Sequence, residues 1–370
     1  MWPSALRPVK RGESCYTDGN GHGQSGGPRD GLSDDARTDD ARNGLSGETD
    51  RIDWRGDTDR NYRSGDTGRN DRSGDTERNG QKQLVSLIMK EIQTSCNTTW
   101  DEIAGLESVK KVIKENAVWP LLRPDIFTGI RKLPKVMLLF GPSGLDKRLL
   151  AESIATQTSS TFFCLPGTKL NTKWKGKGEN LIKSLFKVAR NHQLSVIFVE
   201  DVENLVSTKP TDDQENIKIK SEFISELEKV SDEEQVLVVA ATAKPYEISE
   251  TARKLFGKKI FIYLPDQQTR VKIISKLISK EQLEINEQEI ELISFLTEGY
   301  SELDLVNVCK NAALGPVRSI NNFDLTNIGL EMLRPIRYQD FQDALDQVKA
   351  SVEKQEVDLF RDWDRQFGGI

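Results

Sequence analysis

The sequence predicts an α/β fold, a parallel sheet covered by helices on both faces and followed by a small helical subdomain. Three observations carry this. Apolar runs of strand length alternate with segments of helical spacing. One such run feeds a glycine-rich turn and then a helix start, and another ends in two adjacent carboxylates.

The chain has 370 residues, and its first part is different material from the rest. Residues 1–82 are rich in Gly, Asp, Arg, Asn and Ser and nearly free of branched apolar side chains, so they cannot bury enough surface to fold and are read as a disordered tail. A nine-residue repeat runs through them: Arg55-Gly-Asp-Thr58, Arg63-Ser-Gly-Asp-Thr67 and Arg72-Ser-Gly-Asp-Thr76. That period is too short for a helical solenoid, and a solvated spacer grown by tandem duplication accounts for it. The Arg55-Gly56-Asp57 tripeptide is attributed to chance within that repeat. Residues 83–99 read as a linker helix, 100–265 as the α/β subdomain, and 266–370 as a helical lid with a C-terminal helix.

Within the α/β part, Lys135 to Phe140 is the first strand. It runs into Gly141-Pro142-Ser143-Gly144-Leu145-Asp146-Lys147-Arg148, after which Leu149, Leu150, Ser153 and Ile154 resume at helical spacing. Strand, glycine turn and helix N-terminus form the arrangement that cradles phosphate with backbone N–H groups. A working loop of the form G-x-x-x-x-G-K-[ST] needs Gly141, Lys147 and a hydroxyl for Mg²⁺; here Asp146 replaces the last glycine and Arg148 the hydroxyl residue. Thr161–Cys164, Ser195–Asp201, Val236–Ala243 and Lys259–Leu264 are the other strands, and the second of these ends in Glu200-Asp201. Parallel strands of this kind bind ligands at their carboxyl ends, where the loop and Glu200-Asp201 meet. The pattern predicts a P-loop NTPase carrying a loop altered where it does its chemistry, in preference to an ordinary strand, turn and helix with a surface Lys. In the lid, Val271, Ile274, Leu277 and Ile278 repeat with helical period, as do Leu303, Leu305, Val306 and Val308.

Composition sets bounds. The net charge of −6 does not suggest a direct nucleic-acid binder. Four scattered Cys without C-x-x-C spacing, and His22 and His192 as the histidines, predict neither a metal site nor a disulfide framework. No apolar run is long enough for a membrane helix and Met1 to Arg11 lacks a signal-peptide core, so cytoplasm or nucleus is the expected compartment.

From about Leu84 to Gly369 the chain resembles AAA ATPases of the fidgetin-like branch, related to spastin and katanin. The matching segments are Trp100-Asp-Glu-Ile-Ala-Gly-Leu106, Val118 to Gly129, the strands above, Leu314-Gly-Pro-Val-Arg318 and Trp363 to Gly369. The resemblance implies ATP with Mg²⁺ as cofactor, assembly into hexamers, and possession of a sensor, trans-acting arginines and an aromatic pore loop. It also places the departures. Thr-Gly-Lys-Thr becomes Leu145-Asp146-Lys147-Arg148, and the acidic pair is reversed as Glu200-Asp201. The polar sensor becomes Ala243, and the arginine cluster reads Arg253-Lys254. Lys173-Trp174-Lys175 matches the pore loop that grips extended peptide, and its lysines suit acidic tails such as those of tubulin; second-pore arginines are replaced near Ile217 and Lys218.

Three readings stay open on the sequence. In the first, a pseudo-ATPase binds ATP weakly or not at all and acts as a subunit or modulator of AAA hexamers, as a homo-oligomer or with an active relative. In the second, an active ATPase remodels or severs microtubule-type substrates, with Arg148 at the metal position paired with Glu200. In the third, the chain is a relic without selected activity. Strand cores are kept while polar catalytic positions have drifted, which favours the first and third.

Overall fold

The computed structural model describes residues 83–168, 170, 176–192, 194–207, 214–230, 235–319 and 333–369. The tail with its repeats and the pore residues Lys173, Trp174 and Lys175 lie outside the described residues. Six strands form the main sheet: β1 (Gln93–Thr94), β2 (Val136–Phe140), β3 (Thr161–Pro166), β4 (Ser195–Glu200), β5 (Val236–Thr242) and β6 (Lys258–Phe261). Their order is β1-β3-β4-β5-β2-β6, with β2 to β6 parallel and β1 antiparallel on the β3 edge. The five parallel strands are those expected from the sequence.

Strands β2 and β5 are buried along their whole length, as a sheet covered on both faces requires. Alternate side chains enter opposite cores. Val136, Leu138 and Phe140 join one cluster with Leu181, Leu185 and Phe186, whereas Met137 and Leu139 join the other with Val109, Ile113 and Ile154. The helices responsible are α1 (Glu107–Ile113), α2 (Lys147–Thr158) and α3 (Gly178–Asn191), joined by α4 (Glu203–Val206), α5 (Gln214–Lys229) and α6 (Glu250–Leu255). Ile217 and Lys218 lie on α5, with Ile217 exposed.

The strand order fixes where a ligand sits. After β2 the chain crosses to β3 on one side of the sheet, while after β5 it crosses to β6 on the other. Right-handed crossovers send those two connections to opposite faces, so a crevice opens beyond the carboxyl ends of β2 and β5.

The lid consists of α7 (Gln267–Ile278), α8 (Glu287–Leu296), α9 (Glu302–Ala313), α10 (Gly315–Arg318) and α11 (Tyr338–Gln347), around a third core that includes Ile274, Ile293, Leu305 and Phe341. Its starts are well capped: Asp266 accepts from Thr269 N at 2.8 Å, and Asn286 and Ser301 form reciprocal capping boxes. A two-residue parallel pair, β7 (Leu283–Glu284) with β8 (Ile336–Arg337), is too short to leave a sequence signal.

Two segments differ from the sequence reading. Residues 83–99, expected as a linker helix, are helical over 83–87 and Ile88–Ile92 and then supply β1. Ile88 and Ile92 are fully buried in the α/β core, so the segment is anchored there. The C-terminal helix α12 (Lys354–Phe367), assigned by sequence to the lid part, packs on the α/β sheet instead. Its Phe360 and Trp363 belong to the core that contains Phe140 and Phe261, because one apolar stripe at helical spacing needs an apolar face to cover it.

Candidate functional site

The loop between β2 and α2 occupies the crevice at the switch point. Gly141 has φ +152°, and a Cβ there would lie 2.2 Å from the Ile262 carbonyl oxygen, so the backbone approach demands glycine. Gly144 has φ +77°, and a Cβ there would meet Ser301 Oγ at 2.7 Å. Its carbonyl accepts from Leu303 N at 3.1 Å. The second glycine therefore couples the loop to the start of α9 in the lid.

A cavity of about 250 Å³ is lined by Ser143 to Arg148, Phe198, Glu200, Asp201 and Ala241 to Ala243. The loop residues Ser143 to Arg148, the adjacent carboxylates Glu200-Asp201 and Ala243 thus share one surface. Gly141 N donates to Thr242 O at 3.3 Å, and Val202 N donates to Ala241 O at 3.0 Å, which holds the three strand ends together.

Each charged group at the cavity has a distinct environment. Lys147 is 8 % exposed and donates from Nζ to Pro142 O at 2.7 Å. Burial pushes its ammonium down to about 8, against the pull of Glu203, Asp201 and Asp146. Asp146 precedes α2 as its N-cap but makes no side-chain cap, with φ −75° and ψ 67°. Burial raises its carboxyl above the usual range, and the nearby Glu152 charge adds to this. Arg148 donates from Nε to Glu152 Oε1 at 2.8 Å and has Nη1 3.7 Å from Glu200 Oε1. Glu152 is held in turn by Thr98 Oγ1 at 2.9 Å. Asp201 closes β4 in the left-handed region at φ +48°, a conformation Asp tolerates better than most residues, and it is exposed.

Behind the cavity, Thr242 Oγ1 donates to Glu203 Oε2 at 2.7 Å in a buried pair. Ala243 follows and has no side-chain polar atom with which to continue that line. Arg253 and Lys254 lie away from the cavity on α6. The Arg253 guanidinium stacks 3.8 Å from the Phe367 ring of α12, and Lys254 Nζ pairs with Glu250 Oε1 at 2.9 Å.

Glu152, Glu203 and Glu302 were not among the sequence-derived site residues. Glu152 had a signal, since it stands four residues after Arg148 on one helix face. Glu302, the first residue of α9, reaches the loop from more than a hundred and fifty positions away and had none. Burial, followed by the Asp146 charge, pushes its carboxyl up to about 7, against a smaller opposite pull from the Asp146 backbone N–H. A raised folded-state value means stability present below the unfolded value of 4.5 and lost as pH rises through about 7. Glu302→Gln, which keeps the acceptor and removes the charge, is therefore expected to melt above the wild type when pH exceeds about 7 and to lose that advantage below 4.5, as calorimetry across that range would record.

The donor set does not fit Mg²⁺. A guanidinium stands where a hydroxyl ligand would be, and Glu200 faces that guanidinium at 3.7 Å. Among the described residues, no helix is long and apolar enough to cross a membrane.

A glycine loop at the switch point of this strand order, opening a helix and facing an acidic strand end, defines a P-loop NTPase fold with an α-helical lid. The family model for ATPases associated with various cellular activities (AAA) matches residues 137–264, and that for the Vps4 C terminal oligomerisation domain matches 324–368. Fidgetin-like protein 1 of Xenopus laevis is 43% identical over 292 residues, which are 78% of this chain and 45% of that protein. The crystal structure of the FIGL-1 AAA domain in complex with ADP aligns with a TM-score of 0.73 at 37% identity, covering 78% of this chain and 98% of that one. A katanin structure described for its self-assembly aligns with a TM-score of 0.64 at 31% identity, covering 76% and 96%. The chain belongs to the fidgetin-like AAA ATPases. It spans less than half the length of the curated relatives it matches.

Proposed function

We propose that this chain is a pseudo-ATPase, an AAA subunit that hydrolyses ATP poorly or not at all and acts by joining or modulating AAA hexamers. The observation that carries the reading is the convergence of altered groups on one cavity: Arg148 for a hydroxyl, Glu200-Asp201 in reversed order, and Ala243 for a polar sensor. Hydrolysis by P-loop enzymes depends on positioning metal, water and γ-phosphate together, and a catalytic group misplaced by about an ångström costs on the order of a hundredfold. The matched oligomerisation segment and the katanin neighbour support assembly as the retained task. Arg253 and Lys254 in place of an arginine cluster would leave a neighbouring subunit's ATP with weaker assistance, so incorporation inhibits. The basic pore residues Lys173, Trp174 and Lys175 suit acidic peptide tails such as those of tubulin, in the cytoplasm or nucleus.

Mixing tests this. The full chain titrated into an active fidgetin-like AAA protein is expected to lower that protein's ATP turnover in proportion to its incorporation. Turnover that stays constant while light scattering records mixed hexamers would rule the modulating role out.

A further inference from the structure

We propose that the guanidinium of Arg148 is a built-in cation for a nucleoside di- or triphosphate, so that this cleft binds nucleotide without a divalent metal. The inference rests on the reading of the cavity as a nucleotide site and concerns what balances charge there.

Three observations support it. Arg148 lines the same cavity as the loop from Ser143 to Lys147, at the first turn of α2, where backbone N–H groups and the helix dipole already favour an anion. The side chain is not loose: Glu152 holds Nε at 2.8 Å, and Glu152 is itself fixed by Thr98. Glu200, at the acidic strand end, faces Nη1 at 3.7 Å. The guanidinium is therefore pinned between the helix start and the acidic strand end, the space a loop-bound metal would bridge, and it remains 41 % exposed. A guanidinium carries five N–H donors in a plane; Glu152 engages Nε and Glu200 faces Nη1, which leaves Nη2 for phosphate oxygen. Mg²⁺ brought to the same space meets a fixed positive charge and a carboxylate already committed to it. The cation and its counter-charges belong to the protein, so chelation of metal removes nothing the ligand needs.

The test is calorimetric titration of ADP into the full chain in EDTA and again in excess Mg²⁺. Wild-type affinity is expected to agree between the two within about twofold, a difference well below one tenfold step. Arg148→Thr is expected to lose roughly ten- to a hundredfold in EDTA, the worth of a charge-assisted hydrogen bond, and to recover with Mg²⁺. Arg148→Lys, which keeps the charge but not the fork, is expected to fall between them in EDTA. Wild-type binding that strengthens tenfold or more with Mg²⁺, or no ADP binding in either condition, overturns the inference. Neither result touches the pseudo-ATPase reading, which fails on turnover instead. The wild-type comparison decides the matter even where a variant does not fold.

Discussion

Asp146→Gly is expected to strengthen ADP binding by up to about a thousandfold, in EDTA as well as in Mg²⁺. The reason is charge. A carboxylate about 4 Å from a phosphate oxygen at an effective dielectric of about 20 repels it by roughly 4 kcal/mol, and each 1.4 kcal/mol is about tenfold in affinity. Asp146 lines the cavity and performs no compensating structural task, since its side chain does not cap α2. Replacing an N-cap residue by glycine costs about a few tenths of a kcal/mol, far less than the repulsion removed. Burial raises the Asp146 carboxyl, so acidification neutralises it at a higher pH than an exposed Asp. Wild-type affinity should therefore climb as pH falls, while the advantage of the variant shrinks. Titrations of ADP at several pH values test this, and equal affinity of the two proteins at neutral pH would mean that the carboxylate does not face the phosphates.

The second large effect concerns stability. Trp363→Ala in α12 is expected to cost about 3–5 kcal/mol, the usual penalty for truncating a buried aromatic ring to a methyl group. Trp363 is 7 % exposed and meets Phe140 edge-on with ring centroids 4.4 Å apart. Phe140 in turn stacks on Phe261 at 5.4 Å, and Phe261 stacks on Phe360 of the same C-terminal helix at 6.2 Å. Against a total of about 5–15 kcal/mol for a folded domain, the loss is severe. It also reaches the site, because Phe140 is the last residue before Gly141 and fixes where the loop begins. Urea denaturation measures the effect, and Leu359→Ala on the exposed face of α12, at 59 % exposure, is the control expected to stay within about 0.5 kcal/mol. Comparable losses for both variants would contradict the docking of α12 on the sheet.

How much of this was legible in the sequence depended on range. The five parallel strands were readable because burial on both faces leaves continuous apolar runs such as Val236 to Thr242. The loop was readable because Gly141 and Gly144 take positive φ, a backbone requirement local to the turn, whereas the close approaches of Ile262 and Ser301 that also demand glycine left no local mark. Pairings between distant segments left no such mark. The β1 edge strand pairs Thr94 with Phe162, and two residues carry no periodicity. Helix α12 has a clear apolar stripe, yet nothing in the stripe says whether the lid or the sheet covers it. Glu302 and Glu203 likewise became site neighbours only when α9 and β5 were in place. The Arg148–Glu200 approach was the exception, foreseen because both positions were already expected at the carboxyl ends of the parallel strands.

Steady-state ATP turnover by the full chain in excess Mg²⁺ decides whether the cavity supports ordinary hydrolysis. Turnover is expected at least about a thousandfold below the roughly 1 s⁻¹ to 10³ s⁻¹ common for enzymes, on the scale of losing one trans-acting arginine. Turnover within that ordinary range, abolished by EDTA, would contradict the pseudo-ATPase reading and establish an active metal-dependent AAA ATPase.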